Sequence, residues 1–110
     1  LTLSNSTTIT ATRSNTGGAT TVVSYAVIEF SSLTSLQRGI LTISGNVTTT
    51  STTISTVNMN KAIVILAGVS FINDSAIYFP YVELKDSNTL SATRVYNAND
   101  TVISYQIIEL

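Results

Sequence analysis

The sequence predicts an all-β fold: an antiparallel β-sandwich, or a small closed barrel, of about six to seven strands, preceded by an incomplete copy of the same unit. Three observations lead there. Val, Ile, Thr, Tyr and Phe dominate every strong segment, and no window sustains apolar residues at i, i+3 and i+4 between helix caps. Short clusters of Ser, Asn, Asp and Gly punctuate these segments. Finally, the closing third of the chain occurs twice.

The repeat is read by direct alignment. LTLSNSTTITATR (1–13) aligns without a gap to VELKDSNTLSATR (82–94), with six of thirteen positions identical. TVVSYAVIEF (21–30) matches TVISYQIIEL (101–110) at six of ten. The offset falls from 81 to 80 because the intervening loop is one residue shorter in the second copy. The expected organisation is therefore a closing strand pair over 1–30 and one complete unit over 31–110. Leu1 and Leu3 align with Val82 and Leu84, inside a strand, so roughly the first ~50 residues of a preceding unit are expected to lie outside this stretch. Either the chain is a segment of a tandem array, or residues 1–30 pair with a neighbouring subunit by strand addition. A lone hairpin with unpaired edges is marginal and invites a partner.

Taken in order, the elements read as follows. Leu1 and Leu3 begin in strand pattern, Ser4-Asn5-Ser6 turn, and Thr7 to Arg13 alternate with Ile9 and Ala11 on one face. SNTGGA (14–19) is a loop, and Thr20 to Phe30 a long strand. Val23, Tyr25 and Val27 share a face there, as Ile103, Tyr105 and Ile107 do in the second copy. A bulge near 27–28 and 107–108 would return Ile28/Phe30 and Ile108/Leu110 to the core and turn Glu29 and Glu109 outward. Burial on both faces near the strand end is the alternative. SSLTSLQRG (31–39) reads as a linker and turn entering a strand at Ile40 to Ser44. SGN (44–46) is a turn, and Val47 to Val57 an edge strand with a solvated face. KAIVILAGVS (61–70) is almost continuously apolar and reads as a central strand covered on both faces. NDS (73–75) turns, and Ile77 to Leu84 is a strand that Pro80 confines to an edge or a bulge. Leu90 to Arg94 and Thr101 to Leu110 complete the unit.

Composition excludes several function classes. Charged residues make up 10% of the chain, against roughly 25% in an ordinary domain. Serine (15) and threonine (19) stand in their place, giving a neutral hydroxyl-rich surface. Three Arg and two Lys at net charge −1 build no basic patch, so nucleic acid is not an expected partner. The longest apolar run, AIVILAGV (62–69), is eight residues where a membrane helix takes about 20, so no membrane insertion is expected. With no cysteine there is no disulfide framework.

Chemistry is scarce. Without His or Cys the chain lacks the usual general base, the thiolate nucleophile and most transition-metal ligands. Six carboxylates remain: Glu29, Asp74, Glu83, Asp86, Asp100 and Glu109. No enzymatic activity and no cofactor are expected. For Asp74, Asp86 and Asp100, solvated turn residues are favoured over a calcium site. The N-x-S/T triplets at Asn5, Asn46, Asn73 and Asn99 are about what this composition gives by chance. An isopeptide crosslink at Lys61 is disfavoured with only two lysines present. Arg13 and Arg94 recur at the same place, as do Glu29 and Glu109, which suggests a structural Arg–Glu cross-strand pair in each copy. Tyr78, Phe79, Tyr81 and Tyr96 could stack on a glycan if exposed and coplanar; rings in alternating strands are more often core or interface.

The order of the short words then carries a resemblance. Gln37-Arg38-Gly39, Val57-Asn58 and Lys61-Ala62 are followed in order by VELKDSNTLSATR (82–94) and TVISYQIIEL (101–110), and Leu3 with Ser4 to Thr8, Ala11-Thr12-Arg13, and Tyr25 to Phe30 match the same closing words. Together they resemble a Ser/Thr-rich β-domain repeat, of about 80 residues, of tailed-bacteriophage virion, tail-fibre and prophage structural proteins. The match spans essentially the whole chain. More weakly, the arrangement is similar to H-type lectin sandwiches. The phage resemblance implies a non-enzymatic component of tails, fibres or decorations, located on the virion surface or outside the cell, and it supplies no binding residues. The expected partners are copies of the chain, adjacent repeats or virion proteins, joined through Leu1, Leu3, Ile9, Tyr25, Val27 and Phe30. The rival expectation is a tip module that binds a host-surface glycan.

Overall fold

A computed structural model describes residues 1–13, 18, 20–71, 79–96 and 99–110. Every regular element among them is a strand, and every pairing is antiparallel. The strands are β1 (Thr2–Asn5), β2 (Thr8–Thr10), β3 (Ser35–Ile43), β4 (Thr49–Thr53), β5 (Ala62–Phe71), β6 (Tyr81–Asp86), β7 (Thr89–Thr93) and β8 (Thr101–Glu109). They form three sheets, in the orders β1-β2, β3-β8-β5 and β4-β7-β6. The two three-stranded sheets make a sandwich-like unit over 35–109, with no closed barrel among the described residues. The core lies between the central strands: Leu90 and Ala92 of β7 against Ile103, Tyr105 and Ile107 of β8, closed by Leu41, Ile43, Ile54 and Val57.

Alternation along β8 explains its central place. Thr101, Ile103, Tyr105 and Ile107 are all buried while Val102, Ser104 and Gln106 are half-buried beneath two flanking strands. The expected bulge near 107–108 is absent: β8 pairs with β3 in unbroken register from Ser35↔Glu109 to Ile43↔Thr101. Ile107 and Ile108 are both buried, so the strand is covered on both faces near its end. The irregularity sits instead in β5, where Ala67 is the extra residue between Leu66 and Gly68. That single residue shifts the pleat so that Val69, rather than Gly68, faces Ile103 across the ladder.

Three other expectations change. The apolar run of β5 is an edge strand, not a central one; Ile63 and Ala67 are exposed, and the central position belongs to β8. The stretch 31–39 is a linker only as far as Thr34, because β3 begins at Ser35, where β8 offers a full-length partner. Residues 20–30 form no strand at all. A strand is made by its neighbours' backbone groups, and β8 has two such neighbours where 21–30 has none among the described residues. Pro80 lies just before β6, a sheet edge, as its missing N–H requires. The expected turn at 73–75 lies outside the described residues.

The two copies of the first repeated word fold alike. Thr2↔Thr10, Leu3↔Ile9 and Asn5↔Thr8 in β1-β2 reproduce Glu83↔Ser91, Leu84↔Leu90 and Asp86↔Thr89 in β6-β7, including the register shift before the turn. The same side-chain cap closes each turn. Thr7 N–H donates to Asn5 Oδ1 at 2.9 Å, and Asn88 N–H to Asp86 Oδ1 at 2.9 Å. The first hairpin joins neither three-stranded sheet. The radius of gyration, 15.8 Å, exceeds the about 13 Å of a compact 110-residue domain for that reason.

Candidate assembly site

The repeated words are held in the complete unit by a small set of polar and steric contacts, most of them made to residues 35–58. Arg94 ends β7 and is 2% exposed. Its guanidinium donates from Nη2 to the Ser44 carbonyl at 2.7 Å and the Val47 carbonyl at 3.0 Å, and from Nη1 to Thr101 Oγ1 at 2.8 Å and the Asn99 carbonyl at 2.5 Å. Its own N–H donates to the Thr48 carbonyl at 2.8 Å. A buried cation is tolerable only when its donors are used, and here they knit the β3–β4 turn to the start of β8. Asp100 adds a second tie, accepting from Gly45 N–H at 2.8 Å.

Tyr105 and Gly39 are cross-strand partners. A Cβ built on Gly39 would stand 2.6 Å from Tyr105 Cζ and 2.9 Å from its Cε1, so the ring occupies the space a side chain would need. Two residues earlier, Gln37 clamps the stretch after β4: its Nε2 donates to the Ser55 carbonyl at 2.8 Å, and its Oε1 accepts from Ser55 N–H at 2.8 Å. The Gln37-Arg38-Gly39 word is thus a seat for the Tyr105 ring beside a brace for the chain opposite.

Glu109 closes the far end. Alternation places it on the core-facing side of β8, where the sandwich ends. Its carboxylate accepts from Asn58 N–H at 2.9 Å and from Ser35 Oγ at 3.1 Å. Arg94 and Glu109 therefore do not pair. They serve opposite ends of β8, about 26 Å apart for eight steps of about 3.3 Å. In the first copy Arg13 Nη1 donates to Thr21 Oγ1 at 3.4 Å, as Arg94 does to the equivalent Thr101, and Glu29 is exposed.

The first copy presents the same side chains uncovered. Tyr25 is 63% exposed where Tyr105 is 8%, Val27 60% where Ile107 is 0%, and Ile28 65% where Ile108 is 6%. Leu1 and Leu3 are exposed, and Ile9 and Phe30 half-buried. A groove runs between the hairpin and residues 25–28, lined by Leu1, Leu3, Ile9, Tyr25, Val27 and Ile28. In the complete unit the corresponding Leu84, Leu90, Tyr105 and Ile107 border the core itself.

Of the aromatic candidates, Phe79, Tyr81 and Tyr96 are each more than half exposed; Tyr78 lies outside the described residues. Among the described residues no cluster of three acidic side chains is placed to hold a metal. Asp86 and Asp100 serve as turn caps, while Asp74 falls outside the described residues. The Asn88 N–H and then the Thr89 hydroxyl hold the Asp86 carboxyl below its usual range. Lys85 is raised by the Glu83 carboxylate 2.6 Å from its Nζ.

Nothing in the sequence announced that Arg94 would be buried, because its acceptors come from a turn some fifty residues earlier. The roles of Gln37 and Gly39 were likewise hidden; the one available signal was that they form part of an ordered set of words. No protein-family model, curated protein or solved structure matches the chain.

Proposed function

We propose that this chain is a structural, non-enzymatic subunit or repeat of a virion appendage or extracellular filament, joined to its neighbours by β contacts through residues 1–30. The observation that supports this best is the first copy of the closing words, held with its apolar side chains and strand edges exposed. Exposed contiguous apolar surface beside unpaired backbone is the signature of an assembly surface. The virion setting rests on the resemblance of the ordered words to the phage repeat. Light scattering and electron microscopy across a concentration series test the reading. The intact chain should form particles larger than a monomer. The triple substitution Val23→Ser, Tyr25→Ser, Val27→Ser should abolish them and leave the 35–109 unit folded. A chain that stays monomeric at all concentrations refutes assembly through this surface.

A glycan-binding tip module is the second reading, favoured by the exposure of Phe79, Tyr81 and Tyr96. Ring resonances of these residues should shift on titration with the receptor oligosaccharide, and Tyr81→Ala should weaken the response. Unperturbed rings across a broad glycan panel exclude it.

A further inference from the structure

The two copies share a sequence and differ in what covers them, so the covered copy specifies the partner of the uncovered one. We propose that residues 1–30 form a docking site for a second copy of the three-strand module spanning residues 35–71, supplied by an adjoining repeat. This deepens the assembly reading above and rests on it.

The register follows from the alignment. In the complete unit β8 lies between β3 and β5, with Ser104 opposite Ile40 and Tyr105 opposite Gly39. With an offset of 80, the incoming module sets its Ile40 against Ser24 and its Gly39 against Tyr25. The ring of Tyr25, now exposed, then settles on a glycine that leaves room for it. Glu29 receives the incoming Asn58 N–H and Ser35 hydroxyl, as Glu109 does. Arg13 Nη1 donates to Thr21 as Arg94 Nη1 does to Thr101, so this register brings the incoming Ser44 and Val47 carbonyls beside the Arg13 side chain. The hairpin β1-β2 already has the register of β6-β7, and its β2 edge, paired with no further strand among the described residues, offers an incoming β4 the place that β7 gives its own. Val23, Val27 and Ile28 enter the new core in place of Ile103, Ile107 and Ile108.

Stoichiometry defines the partner further. Residues 35–71 described above are already filled by residues 82–110. The occupant is therefore another module, one that no other closing copy fills.

The test extends the full chain with a second copy of residues 31–81 placed before Leu1, which brings the appended Tyr81 into the position it holds relative to Val82. Hydrogen exchange is read by mass spectrometry. Amides of 21–30 should slow at least about 100-fold relative to the unextended chain and approach those of 101–110. Gly39→Val in the appended copy alone should erase that protection and leave 101–110 unchanged. Because the chain lacks cysteine, a second readout is direct: Ile40→Cys in the appended copy and Ser24→Cys should form a disulfide under mild oxidation, whereas Ile40→Cys with Thr20→Cys should not. Unprotected 21–30 amides with no crosslink overturn the proposal, whether or not the extension folds. The unextended chain's particle size is scored separately. Protection in the extended chain while the unextended chain remains monomeric keeps this inference and removes self-assembly. Assembly without protection or crosslink does the reverse.

Discussion

The aligned arginines offer a controlled comparison. Arg94→Met removes the guanidinium but keeps most of the apolar stem, so the loss is chiefly of donated hydrogen bonds. Three carbonyls, those of Ser44, Val47 and Asn99, and the Thr101 hydroxyl lose a charged donor. Leaving a buried acceptor unsatisfied costs about 1–3 kcal/mol. Ser44, Val47 and Asn99 are themselves exposed residues, so water refills part of that loss. Relief of the buried charge also offsets some of it. The expected destabilisation is about 2–4 kcal/mol, a large share of the 5–15 kcal/mol typical of a small domain. With a urea slope of about 1.5 kcal/mol/M, the midpoint should fall by roughly 1.3–2.7 M. Arg94→Lys, which offers three donors on one nitrogen, should lose about half as much. Arg13→Met removes the aligned residue from an exposed site and should move the midpoint by less than about 0.3 M, in the ±0.5 kcal/mol range of surface changes. Urea unfolding followed by far-ultraviolet circular dichroism, with slopes compared across variants, measures all three. Equal effects at 13 and 94, or a loss below about 1 kcal/mol for Arg94→Met, would refute the assignment of Arg94 as the bond between the β3–β4 turn and β8.

Gly39→Ala should cost about 1–3 kcal/mol by driving a Cβ into the Tyr105 ring; in a double-mutant cycle with Tyr105→Ala the two losses should be clearly less than additive. Glu109→Ala should cost about 1–2 kcal/mol, read as a melting shift of several degrees, while Glu29→Ala leaves the melt unchanged in the monomer. Asp86 has its folded pKa lowered by the Asn88 N–H and the Thr89 hydroxyl, so its contribution is present above the unfolded carboxylate value of about 3.9 and is lost as pH falls through the folded value. Asp86→Asn, which installs the cap found at Asn5 in the first hairpin, should flatten that part of the stability curve measured between about pH 2 and pH 6, and a curve identical to the native one would count against the cap.

What could be read in advance was what depends on neighbours in sequence. The two hairpins share a thirteen-residue pattern and share a register, a bulge and a cap, because all three are set within a few residues of the turn. The alternation of Ile103, Tyr105 and Ile107 marked the core face correctly for the same reason. What depended on distant pairing was not legible. Residues 21–30 and 101–110 have nearly the same local preferences, yet only the second is a strand, since only it is flanked by β3 and β5. The β5 run suggested coverage on both faces, but hydrophobicity alone does not tell an edge strand from a central one. Arg94 read as half of an Arg–Glu cross-strand pair, and only the fold brings the Ser44 and Val47 carbonyls to it.

The similarity of 21–30 and 101–110, identical at six of ten positions, also bears on the order of events in folding. If Glu29 met Ser35 as Glu109 does, residues 30–34 would make a five-residue hairpin connection, whereas the observed pairing joins residues 74 positions apart. Short loops close far sooner than long ones, and a chain made from its N-terminus presents the first copy to β3 while the second is still unmade. The nascent chain therefore has a local closing strand in hand before the final one arrives. Were 21–30 to take that seat first, the structure described above would be reached by strand displacement, with Ile103 and Ile107 replacing Val23 and Val27.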